Sequence, residues 1–204
     1  MTNERNEYED LKICHVNCQS LFAHFDEFRH FFRRAEYHII CMSETWLRPG
    51  ITDAMVRLPG YTLYRCDRSN RMGGGVAFYL ADCLAATVLR SSEAATNIKP
   101  EFIVAEIVVS DRSKLLLAVV YRPPNSGYLY EFFQTIQELQ MNYRHLAVLG
   151  DFNADMMQDT FDSQQMNTLI TTAGLYCPLC DDTSLERFQH SAGSVHYRRR
   201  GQVN

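Results

Sequence analysis

The sequence predicts an α/β protein in which two mixed β-sheets pack face to face with helices outside, and three observations carry that expectation. Apolar strand-like runs outnumber amphipathic stripes, and the stripes come at intervals rather than after every strand. Leu115 to Val120 is apolar at nearly every position, which calls for cover on both faces of that strand. Phe102 to Val109 and Leu115 to Tyr121 flank the turn-like Ser110-Asp111-Arg112-Ser113, a hairpin signal. Hairpins combined with helical crossovers give mixed sheets, most economically two of them stacked.

Taken in order, Leu11 to Asn17 is the first predicted strand, apolar and closed by a polar side chain. Ser20 then offers an N-cap oxygen to the free amides of a first helical turn. Leu21, Phe25, Phe28 and Phe32 follow at spacings of four, three and four, one apolar stripe on a helix. Tyr37 to Met42 is a second strand, leading into Ser43-Glu44-Thr45-Trp46. Tyr61 to Cys66 and Val76 to Leu80 are strands, the latter introduced by Gly73-Gly74-Gly75. After the hairpin, Pro123-Pro124-Asn125-Ser126-Gly127 breaks the pattern, and a helix carries Leu129, Phe132, Phe133, Ile136, Leu139 and Tyr143 on one side. His145 to Leu149 is a strand that delivers Gly150-Asp151-Phe152-Asn153. A last helix turns Met166, Leu169, Ile170 and Ala173 inward and stops at Gly174. No linker, internal repeat or low-complexity segment divides the 204 residues.

An apolar share of 46% and a charged share of 22% are those of an ordinary globular protein. No apolar run approaches the roughly 18 residues that span a bilayer, so no membrane partner is expected. Met1 to Asp10 is polar and acidic, with neither signal-peptide nor transit-peptide character, and the expected location is intracellular. Seven cysteines are scattered along the chain; Cys177-Pro178-Leu179-Cys180 lacks a second pair of ligands, and idle or buried thiols are expected. A formal charge of −4 argues against a general basic surface for nucleic acid. It leaves room for an enzyme that engages phosphate through a local patch and a metal ion.

Four predicted strand ends carry polar groups suited to one chemistry: Asn17, Glu44, Tyr121, and Asp151 with Asn153. Strand alternation would set Asp151 and Asn153 on the same side. Mg²⁺ takes one or two carboxylates and fills its octahedron with waters and substrate phosphate, which makes Glu44 the natural direct ligand. Asn17 could orient that carboxylate or hold a ligand water. Asp151 could align an attacking water, and Asn153 and Tyr121 could donate to a phosphate gathering charge. Singly, each has a plainer reading: a surface acid, a strand terminator, a half-buried aromatic. Their coincidence at four separate strand ends favours phosphodiester chemistry.

In order, Val16-Asn17-Cys18-Gln19-Ser20-Leu21, Ser43-Glu44-Thr45-Trp46, Gly73-Gly74-Gly75-Val76-Ala77, Tyr121-Arg122-Pro123-Pro124 and Gly150-Asp151-Phe152-Asn153-Ala154 form a set. With them the chain closely resembles, over roughly residues 11 to 195, the endonuclease domain of non-LTR (LINE-type) retrotransposons. That family lies in the endonuclease/exonuclease/phosphatase superfamily, beside the apurinic/apyrimidinic repair endonucleases. The resemblance implies a four-layer α/β sandwich and a Mg²⁺-dependent nick in DNA (Mn²⁺ substituting) that leaves a 3′-hydroxyl to prime reverse transcription. It implies a nuclear site of action. Carried over by position, Asn17 and Glu44 match the metal-site pair. Tyr121 matches the phosphate-contacting tyrosine, and Asp151 with Asn153 the water-activating and phosphate-contacting pair. Arg122 and Asn125 are the expected substrate contacts beside them.

The resemblance also implies a later strand bearing an aspartate and a closing Ser-Asp-His. Arg187 to Val195 resembles the approach to that strand, but His196-Tyr197-Arg198-Arg199-Arg200-Gly201-Gln202-Val203-Asn204 follows. The expectation is therefore an irregular basic tail over 196–204, missing C-terminal strands, an unpaired strand edge and impaired turnover. A non-catalytic remnant with weak or no nucleic-acid binding is the alternative. Target preference would come from loops around Arg65 to Met72 and Pro123 to Tyr128, where Arg65, Arg68 and Arg71 could form a basic rim, or be solvated loop charges.

Overall fold

Two sheets, each with a single parallel pair of strands, organise the molecule. The computed structural model describes residues 11–34, 36–68, 72–93, 99–110, 113–124 and 129–175, and the backbone of 194–199. The first sheet holds β1 (Ile13–Asn17), β2 (Ile39–Ser43), β3 (Tyr61–Cys66) and β4 (Val76–Ala81), in the order β1-β2-β4-β3. The second holds β5 (Ala85–Ser91), β6 (Glu101–Ser110), β7 (Ser113–Tyr121), β8 (His145–Asp151) and β9 (Ser194–Arg199), in sequence order. β1 runs parallel to β2 and β7 parallel to β8; the other neighbours are antiparallel. Each parallel pair is joined by a helix, α1 (Phe25–Phe32) for the first and α2 (Tyr130–Gln140) for the second, and α3 (Phe161–Ala173) follows β8.

Three apolar clusters make four layers of this. Between the sheets, Ile39 and Cys41 of β2 and Val76 and Phe78 of β4 meet Ile103 of β6, Leu117 and Val119 of β7 and Leu149 of β8. The alternate residues Ile40 and Met42 face α1, where Phe25, Phe28 and Phe32 are buried with Leu21, as their spacing predicts. On the far side, Val104, Leu116, Ala118 and Val148 are covered by Phe132 and Ile136 of α2 and by Met166, Leu169 and Ala173 of α3. Covering both faces explains why β7 is apolar from Leu115 to Val120 and β8 from Leu146 to Leu149. No described helix is long and apolar enough to cross a membrane.

Several expectations change. The cap of α1 is His24, without a side-chain cap bond; the Ser20 hydroxyl instead accepts the Ala23 N–H at 3.4 Å in the preceding turn. Strand β5 was not foreseen, because Ala-Ala-Thr-Val-Leu-Arg-Ser lies at a sheet edge and is mostly exposed. Residues 196–199, expected to be irregular, belong to β9 and pair with β8 from His145 to Val148. The β8 edge, whose strand is fully buried, is thereby covered. Among the described residues β1 pairs on one side only, with β2. The Cys177–Cys180 pair, Arg71, Asn125 and residues 200–204 lie outside the described residues.

Candidate active site

The parallel pairs bring their carboxyl ends to one place. Register sets Asn17 beside Ser43 in the first sheet, and Tyr121 beside both Asp151 and Glu101 in the second. A direct bond spans the gap between the sheets here: Asn17 Nδ2 donates to Asp151 Oδ2 at 2.8 Å across 134 residues of sequence. Asn17 Oδ1 meanwhile accepts the Gln19 N–H at 3.2 Å, so the amide plane is fixed at both ends.

Asp151 ends β8, and its Oδ1 accepts the Asn153 N–H at 3.0 Å. This is an Asx turn, and it replaces the strand alternation expected to align the two residues. Asn153 leaves the strand with φ 46°, a left-handed conformation that asparagine tolerates better than most. Its Nδ2 donates to the Arg122 carbonyl at 2.8 Å, and the Arg122 N–H donates to the Asp151 carbonyl at 2.8 Å. Gly150 is required just before this turn: a Cβ there would run into the Val120 carbonyl oxygen of β7.

On the first sheet, β2 stops at Ser43 and Glu44 turns out of it with φ 50°. Trp46, with φ 52°, donates its indole N–H to Glu44 Oε2 at 3.2 Å. The flanking loops are laced by backbone bonds, Ser20 N–H to the Glu44 carbonyl at 3.0 Å and Trp46 N–H to the Gly74 carbonyl at 2.9 Å. Among the described residues, the non-glycine positions with positive φ are Gln19, Ser20, Glu44, Trp46 and Asn153, all in loops at these strand ends. Such conformations cost about 1–3 kcal/mol each and persist where the surroundings over-determine them, commonly at working sites.

Tyr121 is 5% exposed, and three causes push its phenol well above the ordinary value. Burial is the largest; the negative charges of Glu44 and then Asp151 follow, with Arg68 pulling the other way. One phenol thus senses both carboxylates, so residues 44 and 151 share a site. Glu101, unforeseen in the sequence, is 2% exposed at the start of β6. Its carboxylate accepts the Gly75 N–H and pairs with Arg68. Burial raises its pKa, the Gly75 bond and Arg68 oppose that, and Glu44 adds to it. An acid opening an apolar strand is a weak sequence signal, and nothing marked its partner Arg68 as buried.

Arg122 does not face solvent as a phosphate contact would. It is 2% exposed, with Nη1 donating to the Phe152 carbonyl at 3.3 Å and Nη2 paired with Asp162 at the start of α3. Two of the three expected rim arginines, Arg65 and Arg68, are likewise spent internally. Arg65 pairs with Asp53 at 2.8 Å and with Asp67, and Arg68 is committed to Glu101.

The site is an all-oxygen set of two carboxylates, a phenol and two carboxamides. Among the described residues no group of three or more His, Cys, Asp or Glu is gathered to hold a metal. Oxygen donors of this kind are those a hard cation such as Mg²⁺ takes, with water and substrate filling the rest of its shell. Glu44 and Asp151, with the Asn17 amide oxygen, are the groups that could hold it.

A sequence profile of the Endonuclease/Exonuclease/phosphatase family matches residues 14–202. The chain belongs to that family. Solved structures agree on the fold. A family protein from Bacteroides thetaiotaomicron superposes with TM-score 0.66 at 12% identity, covering 92% of this chain and 80% of that one. The catalytic domain of Xenopus laevis APE2 gives 0.62 at 14%, covering 93% and 82%. The 3′ phosphatase NExo from Neisseria, bound to a product DNA hairpin, gives 0.58 at 14%, covering 92% and 86%. No curated protein matches in sequence.

Proposed function

We propose that this family member is a DNA phosphodiesterase, the endonuclease domain of a non-LTR retrotransposon, working with Mg²⁺ or Mn²⁺ in the nucleus. The observation that carries the reading is the Asn17–Asp151 bond, which ties two sheet ends together, with the charges of Glu44 and Asp151 both felt at Tyr121. The retrotransposon branch is supported by the ordered set of motifs from Ser43-Glu44-Thr45-Trp46 to Gly150-Asp151-Phe152-Asn153. DNA as substrate is supported by the neighbouring 3′ phosphatase structure, which holds a DNA hairpin.

In this reading Asp151, oriented by the Asn17 amide, takes a proton from the attacking water. The water oxygen bonds to phosphorus, the bond from phosphorus to the 3′ oxygen breaks, and that oxygen leaves as the 3′-hydroxyl with a proton from solvent. The Tyr121 phenol stays protonated, since burial, Glu44 and Asp151 oppose its ionisation and outweigh the opposing pull of Arg68, and it serves as a hydrogen-bond donor. A divalent cation held by Glu44 with Asn17 or Asp151 would neutralise phosphate charge.

The test is nicking of supercoiled plasmid with Mg²⁺, followed by polymerase extension from the nick. Extension requires a 3′-hydroxyl, while a parallel 3′-phosphorylated oligonucleotide reports phosphatase activity. Nicking that disappears in both Glu44→Gln and Asp151→Asn supports the proposal. A folded, Mg²⁺-supplied wild type that never nicks rules it out.

A further inference from the structure

Beside Glu44 opens a cavity of about 290 Å³ that the hydrolytic step does not use. Ser20, Phe22, Trp46, Arg48, Arg68 and Met72 are among its walls. We propose that it is a nucleobase subsite, which takes one unstacked base of the strand whose phosphate lies at Glu44 and Asp151. The inference rests on the phosphodiesterase reading and extends it to a base contact next to the reacting phosphate.

The walls have the chemistry of a stacking site. Phe22 is 48% and Trp46 37% exposed, two large aromatics held out of a core that buries Phe25, Phe28 and Phe32 nearby. Base–aromatic stacking favours such rings and accepts any base, because every base has a π-face. Trp46 is held outward by two features: its backbone sits in the left-handed region, and its indole N–H is fixed on Glu44 Oε2. That bond also sets this wall of the cavity directly against the Glu44 carboxylate. Gly73 borders the ring on the other side, where an added Cβ would come within 3.7 Å of the Trp46 indole nitrogen.

The charge fits a strand as well. Arg68 is neutralised by Glu101. Arg48 is exposed and forms no ion pair with a described residue, so it is a cation free to meet a backbone phosphate at the rim. The volume is near the lower end of small-molecule sites, roughly 300 Å³, which suits one planar heterocycle.

Trp46 is the chain's only tryptophan, so its fluorescence reports this cavity directly. The experiment titrates the 204-residue chain in Mg²⁺ with a short phosphorothioate oligonucleotide and with an abasic oligomer of equal length and charge. The base-bearing strand is expected to quench Trp46 and to bind about tenfold tighter than the abasic one. Phe22→Ala, at an exposed position, should remove most of that difference, and Arg48→Ala should weaken both oligomers equally. If the abasic oligomer quenches and binds as tightly while wild type still nicks plasmid, the subsite is wrong and the nuclease reading stands. If neither oligomer binds and no nick forms, both fall.

Discussion

The β1–α1–β2 and β7–α2–β8 units share one plan: parallel strands, a helical crossover, and a polar group at each carboxyl end. No repeat in the sequence announces it. They hold those groups differently. Glu44 leaves the first unit on a left-handed backbone, half-buried, within reach of Trp46 and Tyr121. Asp151 ends the second unit at 2% exposure, inside a mesh of Asn17, Asn153 and the Arg122 backbone. One unit presents its carboxylate, and the other builds its carboxylate into the core. Function and stability should therefore separate in the first unit and coincide in the second.

The largest expected effect tests that separation. Glu44→Gln and Asp151→Asn should each lower the nicking rate by about 10²- to 10⁴-fold. Only Asp151→Asn should also lower thermal stability, by about 1–3 kcal/mol, because a buried acceptor of two hydrogen bonds is changed. Equal losses of melting temperature in both variants would remove the distinction between the units.

Gly150→Ala is expected to destabilise by about 3 kcal/mol, since the new methyl meets the Val120 backbone rather than a side chain that can move. Chemical denaturation measures it. The corresponding position of the first unit, one residue before the end of β2, holds a full side chain, Met42, buried in the core under α1.

Arg122→Ala follows, at about 2 kcal/mol, because the Phe152 carbonyl and Asp162 lose a buried donor. Asp162 is 31% exposed, so water offsets part of the loss. If Arg122 is internal, the salt dependence of oligonucleotide binding stays unchanged in this variant; a phosphate contact would reduce the slope by about one.

These residues also mark what the sequence could reveal. The layers were legible because apolar spacing is a direct record of burial: Phe25, Phe28 and Phe32 fell on α1, and Met166, Leu169 and Ala173 on α3. The polar strand ends were legible because Asn17, Glu44, Tyr121 and Asp151 interrupt such runs, and the structure brings them together. Charge partners were not. Whether an arginine meets phosphate or an internal acid depends on contacts 33 residues away for Arg68 with Glu101 and 40 for Arg122 with Asp162. Local pattern carries no trace of either. Strand β9 was missed for a related reason: a basic, polar run pairs through its backbone, and backbone pairing leaves no mark on composition.

The smallest predicted effect concerns how the crossovers are pinned. Phenylalanines hold α1, with Phe28 4.5 Å from Phe32 and 5.8 Å from Tyr79 between ring centres. The end of α2 adds a polar tie, the Tyr143 hydroxyl donating to Glu106 Oε2 at 2.7 Å, with Lys114 on the same carboxylate at 2.9 Å. Lys114 first, and Tyr143 second, hold the Glu106 carboxyl below its ordinary value, while burial and Glu106 push the Tyr143 phenol up to about 12. A depressed carboxylate stabilises the fold above its unfolded pKa, and that gain fades as pH falls through the folded one. Wild type should therefore lose about 1 kcal/mol more than Glu106→Gln on acidification from neutral pH to below the ordinary glutamate range. Tyr143→Phe should lie between them, and parallel denaturation curves at each pH would show whether the second crossover has this tie at all.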